Sequence, residues 1–268
     1  MRATAIRRTV LTASAVSFAI LVTACGGSEQ GGEDKEVTKG GAKSEKPVAK
    51  ALAADELEKL VVAKGDVEGH EITEPGKDDV FEPDALSSVE KAECKPVAQV
   101  LSALPAGEPA ASAQRLVVQE PEAAKKDMPS TEELADMTEK EAEEAMIDSL
   151  DITKTMTSLW SYDADGAEQT LATLREAGKK CAGGFAMTID GEKQQVTKVS
   201  EEKLSAGEDA VAWTVGTKQD AAAETKVVVF RQGTTLAGFS SFNIAAITRG
   251  EAFELPTAVI DAQAAKLG

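Results

Sequence analysis

At Cys181 the apolar period of this chain changes from about 3.6 residues to 2, and that change most narrows what the chain can fold into. Before it, Ala167, Leu171, Leu174 and Gly178 fall on one face of a helix that Asp165 opens, with Glu168 three residues further on. Cys181 is the next position of that stripe. After it, Phe185, Met187 and Ile189 alternate with Ala186, Thr188 and Asp190, and Val211, Trp213 and Val215 repeat the pattern. Val227 to Phe230 and Leu236 to Ile244 follow, with turn signals at Asp190-Gly191, Gly207 and Gln232-Gly233. Four or five strands joined in order make an antiparallel meander, and a half-polar pattern predicts that one face is covered. The expected class is α+β: a single domain with a twisted antiparallel β-meander sheet and helices packed on one face.

The segments before Asp165 fit the same class. Asp55 to Val61 reads as a short helix, Val67 to Ile72 as a first strand, and Arg115 to Gln119 as another. Pro96 opens a helix through Val97, Val100, Leu101 and Leu104 that Pro105 stops. Thr155 to Tyr162 is a strand carrying Trp160, and Pro256 begins a closing helix over 256–267. Residues 120–150 hold eleven acids against three lysines. There Ser130 with Glu133, and Thr138 with Glu141, match the capping box, so one or two exposed helices are expected in an acidic insertion. A solvated insertion is the plainer reading of that charge, and a contact surface the sharper one.

The first residues point to export. Arg2, Arg7 and Arg8 precede an apolar run from Val10 to Ala24 that is too short to span a bilayer, and no acid occurs before Glu29. Val22-Thr23-Ala24-Cys25, followed by Gly26-Gly27-Ser28, resembles a bacterial lipobox. On that reading residues 1–24 are a lipoprotein signal peptide and Cys25 takes the lipid (diacylglyceryl, and palmitate-type acyl chains). Two or more acyl chains give stable anchoring. The plainer alternative is an ordinary signal peptide with an incidental cysteine. Arg7-Arg8 leaves the twin-arginine route open beside the general secretory one. Residues 25–50, rich in Gly, Ser, Lys and Glu, cannot bury enough surface to order themselves and form a tether of about 25–30 Å. Residues 51–268 form the extracellular domain.

Compartment then bears on the cysteines. With Cys25 used by the anchor, Cys94 and Cys181 remain, and an oxidising compartment makes a disulfide the default. It would close a loop of nearly ninety residues, worth about 4–5 kcal/mol in the chain-entropy account. The alternative is two buried free thiols.

Charge excludes some partners. The whole chain is at −17, and without the three arginines of residues 1–24 it falls to −20. Residues 25–50 sum to zero, so the excess lies on 51–268, which nucleic acid and anionic headgroups repel. No nucleic-acid partner is expected.

The chemistry-bearing motifs are few. His70 is the single histidine, in a strand-like setting with no nucleophile motif beside it, so it reads as a surface or structural residue. Phosphate-binding glycine loops, Gly-x-Ser-x-Gly, His-Glu-x-x-His and zinc-ligand spacings do not occur. Asp163-Ala164-Asp165-Gly166 shares two acids and a glycine with calcium loops, but a turn with a capping aspartate accounts for it. Aromatics make up 4% of the chain, which disfavours a sugar-stacking platform, and Trp160 and Trp213 both read as core. Catalytic residues, metal and cofactor are each expected to be none.

Cys94-Lys95-Pro96, Trp160, Asp165-Gly166-Ala167 and Lys180-Cys181, with the strands after them, carry a resemblance. Over about residues 85–250 the chain resembles small actinobacterial lipoproteins whose folded part is similar to the extracellular sensor domain of PknH-type serine/threonine kinases. Those kinase domains usually carry two disulfides, and this chain has cysteines for one. The resemblance implies a non-enzymatic extracellular binding or sensing module. The expected location is the outer face of the cell membrane, held by the lipid on Cys25, with a small molecule or an envelope protein as partner. Three other roles stay open: an assembly protein of the envelope contacting through 120–150, an enzyme using paired carboxylates in a deep cleft, and, if the sheet encloses a cavity, a carrier of an apolar ligand.

Overall fold

The alternating half of the chain folds as its period requires. In the computed structural model, which describes residues 49–119, 130–218 and 222–268, five consecutive strands form an antiparallel meander. They are β5 (Phe185–Ile189), β6 (Glu192–Glu201), β7 (Asp209–Lys218), β8 (Ala222–Gln232) and β9 (Thr235–Asn243). The two-residue turn between β5 and β6 has φ +50° at Asp190 and +79° at Gly191, the left-handed pair that a tight hairpin needs. Cys25, the tether up to residue 48 and residues 120–129 lie outside the described residues.

Four more strands extend the meander at both edges. These are β1 (His70–Thr73), β2 (Leu86–Val89), β3 (Ala111–Gln119) and β4 (Thr153–Ser161), giving the order β1-β3-β4-β9-β8-β7-β6-β5-β2 with every neighbour antiparallel. β2 and β6 escape the periodicity reading because they carry few apolar residues. Only Val196 and Val199 of β6 are buried. β3 starts at Ala111, four residues before the expected Arg115, and β1 starts at His70 rather than Val67.

Around the sheet lie α1 (Ala54–Leu60), α2 (Lys95–Leu101), α3 (Thr131–Asp136), α4 (Glu139–Asp148), α5 (Gly166–Lys180), α6 (Ile244–Arg249) and α7 (Thr257–Leu267). Their placement corrects one expectation: helices cover both faces of the sheet, not one. α2 and α5 pack on the face that carries Trp160, Trp213, Val227 and Leu236. α1 and α7 pack on the opposite face, over Leu159, Val228, Phe230 and Phe239. The reason is visible in β8, where Val227-Val228-Val229-Phe230 is apolar at every position and buries side chains in both directions. The half-polar strands, β5 and β6, lie towards the β2 edge.

Cys94 and Cys181 form a disulfide with Cα atoms 5.8 Å apart, joining the turn before α2 to the C-terminal end of α5. Both cysteines are fully buried, as the helix stripe requires. Trp160 and Trp213 are core residues, also as expected. Both capping boxes form: Ser130 Oγ accepts from the Glu133 N–H while the Glu133 carboxylate accepts from the Ser130 N–H, and Thr138 with Glu141 does the same.

Candidate functional site

The residues that the sequence singles out do not converge. His70 lies on the edge strand β1, and its Nδ1 bonds the Glu68 carbonyl oxygen at 2.8 Å. The Asp163–Gly166 turn serves the architecture, because the Asp163 carboxylate accepts from the Ala51 N–H at 3.0 Å and docks the incoming chain. Asp165 stands at the helix start as expected, yet its carboxylate makes no cap and instead accepts from Gln169 Nε2 at 2.7 Å. Among the described residues no group of three His, Cys, Asp or Glu is placed to hold a metal ion. No described helix is long and apolar enough to cross a membrane.

The structure instead presents a cleft of about 440 Å³ at one end of the sheet, on the α2 face. That volume lies within the range of small-molecule sites. Leu116 of β3 and Met187 of β5 both line it. Six strand spacings separate them in the sheet order, about 29 Å in a flat sheet. Both touch one cleft of this size, so the sheet curls around it. Curling brings Met156 and Lys154 of β4, Ser240 and Phe242 of β9, and Ile189 of β5 onto a shared floor.

The other wall has two sources. One is the C-terminal end of α2, where Leu101, Ser102 and Ala103 line the cleft. Carbonyl groups at a helix end lack intrahelical donors, and here the sheet supplies them. Ser240 Oγ donates to the Leu101 carbonyl at 2.7 Å, and Gln114 Nε2 donates to the Ala103 carbonyl at 2.9 Å. α2 is thereby fixed over the floor at this end and by the Cys94–Cys181 bond at the other. The second source is the β1–β2 connection, which contributes Asp78, Asp79 and Phe81.

Four large apolar side chains are exposed among the described residues, and two of them, Phe81 (42%) and Phe242 (38%), line this cleft. Lys154 sits beside Phe242 in the β4–β9 register and is partly buried. Sequence patterns alone do not point to these residues. Phe81 carries the one available signal, a lone aromatic in the polar run Asp78-Asp79-Val80-Phe81-Glu82. Phe242 is hidden inside an apolar strand, where burial is the ordinary expectation.

The opposite face carries a polar network, with Glu202 on the lining of a shallow depression between residues 201–205 and 210–212. Lys226, buried, donates to Thr214 Oγ1 at 2.6 Å, and the Thr214 hydroxyl donates to Glu202 Oε1 at 2.5 Å. The Thr214 hydrogen bond, and then Lys226, hold the Glu202 carboxyl below its ordinary range. This network clasps the segment after β6 to β7 and β8.

No family model matches the chain, and no curated protein matches it. Among solved structures it is similar to the extracellular domain of PknH from Mycobacterium tuberculosis, at 12% identity and a TM-score of 0.46, over 81% of this chain and 95% of that one.

Proposed function

We propose that the chain is an exported lipoprotein, anchored through Cys25 to the outer face of the cell membrane, whose domain is a non-enzymatic binding module. The cleft between α2, the β1–β2 connection and the curled sheet is its ligand site. The observation that carries this reading is the coincidence of an open 440 Å³ cleft of mixed polar and apolar lining with two of the four large apolar side chains exposed among the described residues. The cleft lining contains no histidine or cysteine, so it offers no imidazole or thiol for covalent chemistry. The Cys94–Cys181 disulfide supports export, because such bonds persist in oxidising compartments.

Native mass spectrometry of the protein purified from its own host tests the site. A small molecule should co-purify with the wild type and be lost from Thr225→Trp, which fills the cleft from β8. A wild-type protein that carries nothing, and takes up nothing from a host lipid and metabolite extract, would overturn the reading. Acyl groups on the peptide beginning at Cys25, and their loss with membrane release in Cys25→Ala, test the anchor.

A second reading has its own observation. Met146 of α4 and Leu150 just after it are the other two exposed large apolar side chains, at 57% and 42%. They lie in the acidic 120–150 segment, which fits contact with an envelope protein. Deleting 120–150 would abolish a pull-down under that reading and leave it intact under the first.

A further inference from the structure

The four large apolar side chains exposed among the described residues, Phe81, Met146, Leu150 and Phe242, all lie at one end of the sheet. Phe81 and Phe242 line the same cleft, and Phe242 pairs with Lys154 at the start of β4. The two chains stay together beyond that pair: Asn243 Nδ2 donates to Asp151 at 2.7 Å, and the Leu150 carbonyl accepts the Ala245 N–H at 3.1 Å. Leu150 thus stands four residues from Lys154, at most about 13 Å of extended chain, and Met146 lies one helical turn before it. All four side chains fit inside one standard protein interface, which covers about 800 Å² per partner and is about 30 Å across. Residues 49–51 enter at the other end of β4, where the Ala49 carbonyl accepts the Ala164 N–H at 2.8 Å and Ala51 donates to Asp163. The described part of the entering chain therefore stays clear of this surface.

α4 gives the surface its charge. Glu139, Glu143, Met146 and Leu150 follow one another at helical spacing, so they share one face, and all four are exposed. Ala142, Ala145 and Ser149, on the adjoining face, are half-buried, and Asp148 holds Arg249 of α6 at 2.5 Å. Glu139, Glu143 and, on the cleft wall, Asp78 make no hydrogen bond or ion pair among the described residues. Residues 77–81, 139–154 and 242–249 together hold eight acids against four bases, and two of those bases, Lys140 and Arg249, already face Glu144 and Asp148. Exposed apolar side chains beside uncompensated carboxylates are complementary to apolar side chains flanked by lysine or arginine. Anionic headgroups are repelled by the same charge.

We propose that this end of the domain docks a basic segment of a partner protein. Apolar side chains of the segment cover Phe81, Phe242, Leu150 and Met146, and its lysines or arginines face Asp78, Glu139 and Glu143. This rests on the second reading above, contact with an envelope protein, and extends that contact from the acidic segment to the mouth of the cleft.

Site-specific photocrosslinking tests the proposal. The full chain, with p-benzoylphenylalanine in place of Phe81, of Met146 or, as a control beside the entering chain, of Glu168, is irradiated with an envelope extract of its own host. Mass spectrometry then sequences the crosslinked peptides. Positions 81 and 146 should capture the same protein through one segment rich in lysine or arginine, and position 168 should not capture it. Glu139→Gln with Glu143→Gln should lower the yield at both positions about two- to fivefold, the value of two exposed charges. An acidic or neutral segment, an unchanged yield in that double variant, capture from position 168, or lipid adducts in place of peptide overturns the proposal. Capture from 146 but not 81, or of different proteins by the two, ends the shared surface and leaves the contact of the acidic segment. No capture from either position ends both. Every substituted position is exposed, so the core is untouched in each variant.

Discussion

Trp160 of β4 lies across Gly238 of β9, so closely that a Cβ at position 238 would sit 2.3 Å from the indole Cη2 and 2.6 Å from Cζ3. The two strands are paired in register, with Ser158 opposite Gly238 and Trp160 opposite Leu236. The absence of a side chain at 238 is what lets the ring pack against that strand. Gly238→Ala should therefore destabilise the domain by about 1–3 kcal/mol, the usual cost of overpacking a rigid core. Urea unfolding reads this as a lower midpoint. Gly183→Ala, where an added Cβ meets nothing within 4 Å, is the control and should stay within about 0.5 kcal/mol. Equal midpoints for both variants would contradict the packing argument.

The Cys94–Cys181 bond holds α2 against α5 and thereby one wall of the cleft. Replacing both cysteines with serine should cost about 2–5 kcal/mol, as for removal of native disulfides generally. Thermal melts with and without reductant give the same comparison without mutation. A reduced protein that melts with the oxidised one would show that the bond contributes nothing.

Tyr162 is the single tyrosine of the chain, so alkaline absorbance titration reports it alone. Its hydroxyl donates to the buried Ala106 carbonyl at 2.6 Å, and burial pushes the phenol well above its ordinary value of 10.0. Tyrosinate absorbance should stay flat through pH 10 and rise only in a step that coincides with loss of the far-ultraviolet circular dichroism signal. A smooth titration centred at 10 in folded protein would place the ring in water.

Asp66 ties the C-terminal helix to the loop after α1. Lys266 Nζ donates to Asp66 Oδ2 at 2.7 Å and the Ala63 N–H donates at 2.8 Å. The Lys266 hydrogen bond first, then Ala63, hold the carboxyl below 3.8. The unfolded chain thus takes up this proton at a higher pH than the folded one does. The stabilisation is complete above 3.8 and is lost as pH falls through the lower folded value. Asp66→Asn should lower the melting temperature at neutral pH, and the gap to wild type should close in acid. A gap of constant size would show that the charge of Asp66 is not what stabilises.

Local features of the sequence settle local structure, and here that reached far. The apolar patterning after Cys181 determined β5, β7, β8 and β9 of the meander, because side chains alternate across a strand whatever it pairs with, while β6 carries too few apolar residues to show. The stripe ending in Cys181 determined the buried face of α5 and the exit of the disulfide, and the Ser130 and Thr138 boxes determined two helix starts. Tertiary structure alone decided the rest. The second covered face depends on α1 and α7, separated by nearly two hundred residues, meeting over β4, β8 and β9. The cleft depends on curvature, which brings Leu116 and Met187 together from strands that a flat sheet holds far apart. No local pattern encodes that curvature, because it is the accumulated twist of nine strands, so Lys154 and Phe242 share a cleft with Met187 only through the curl of the whole sheet.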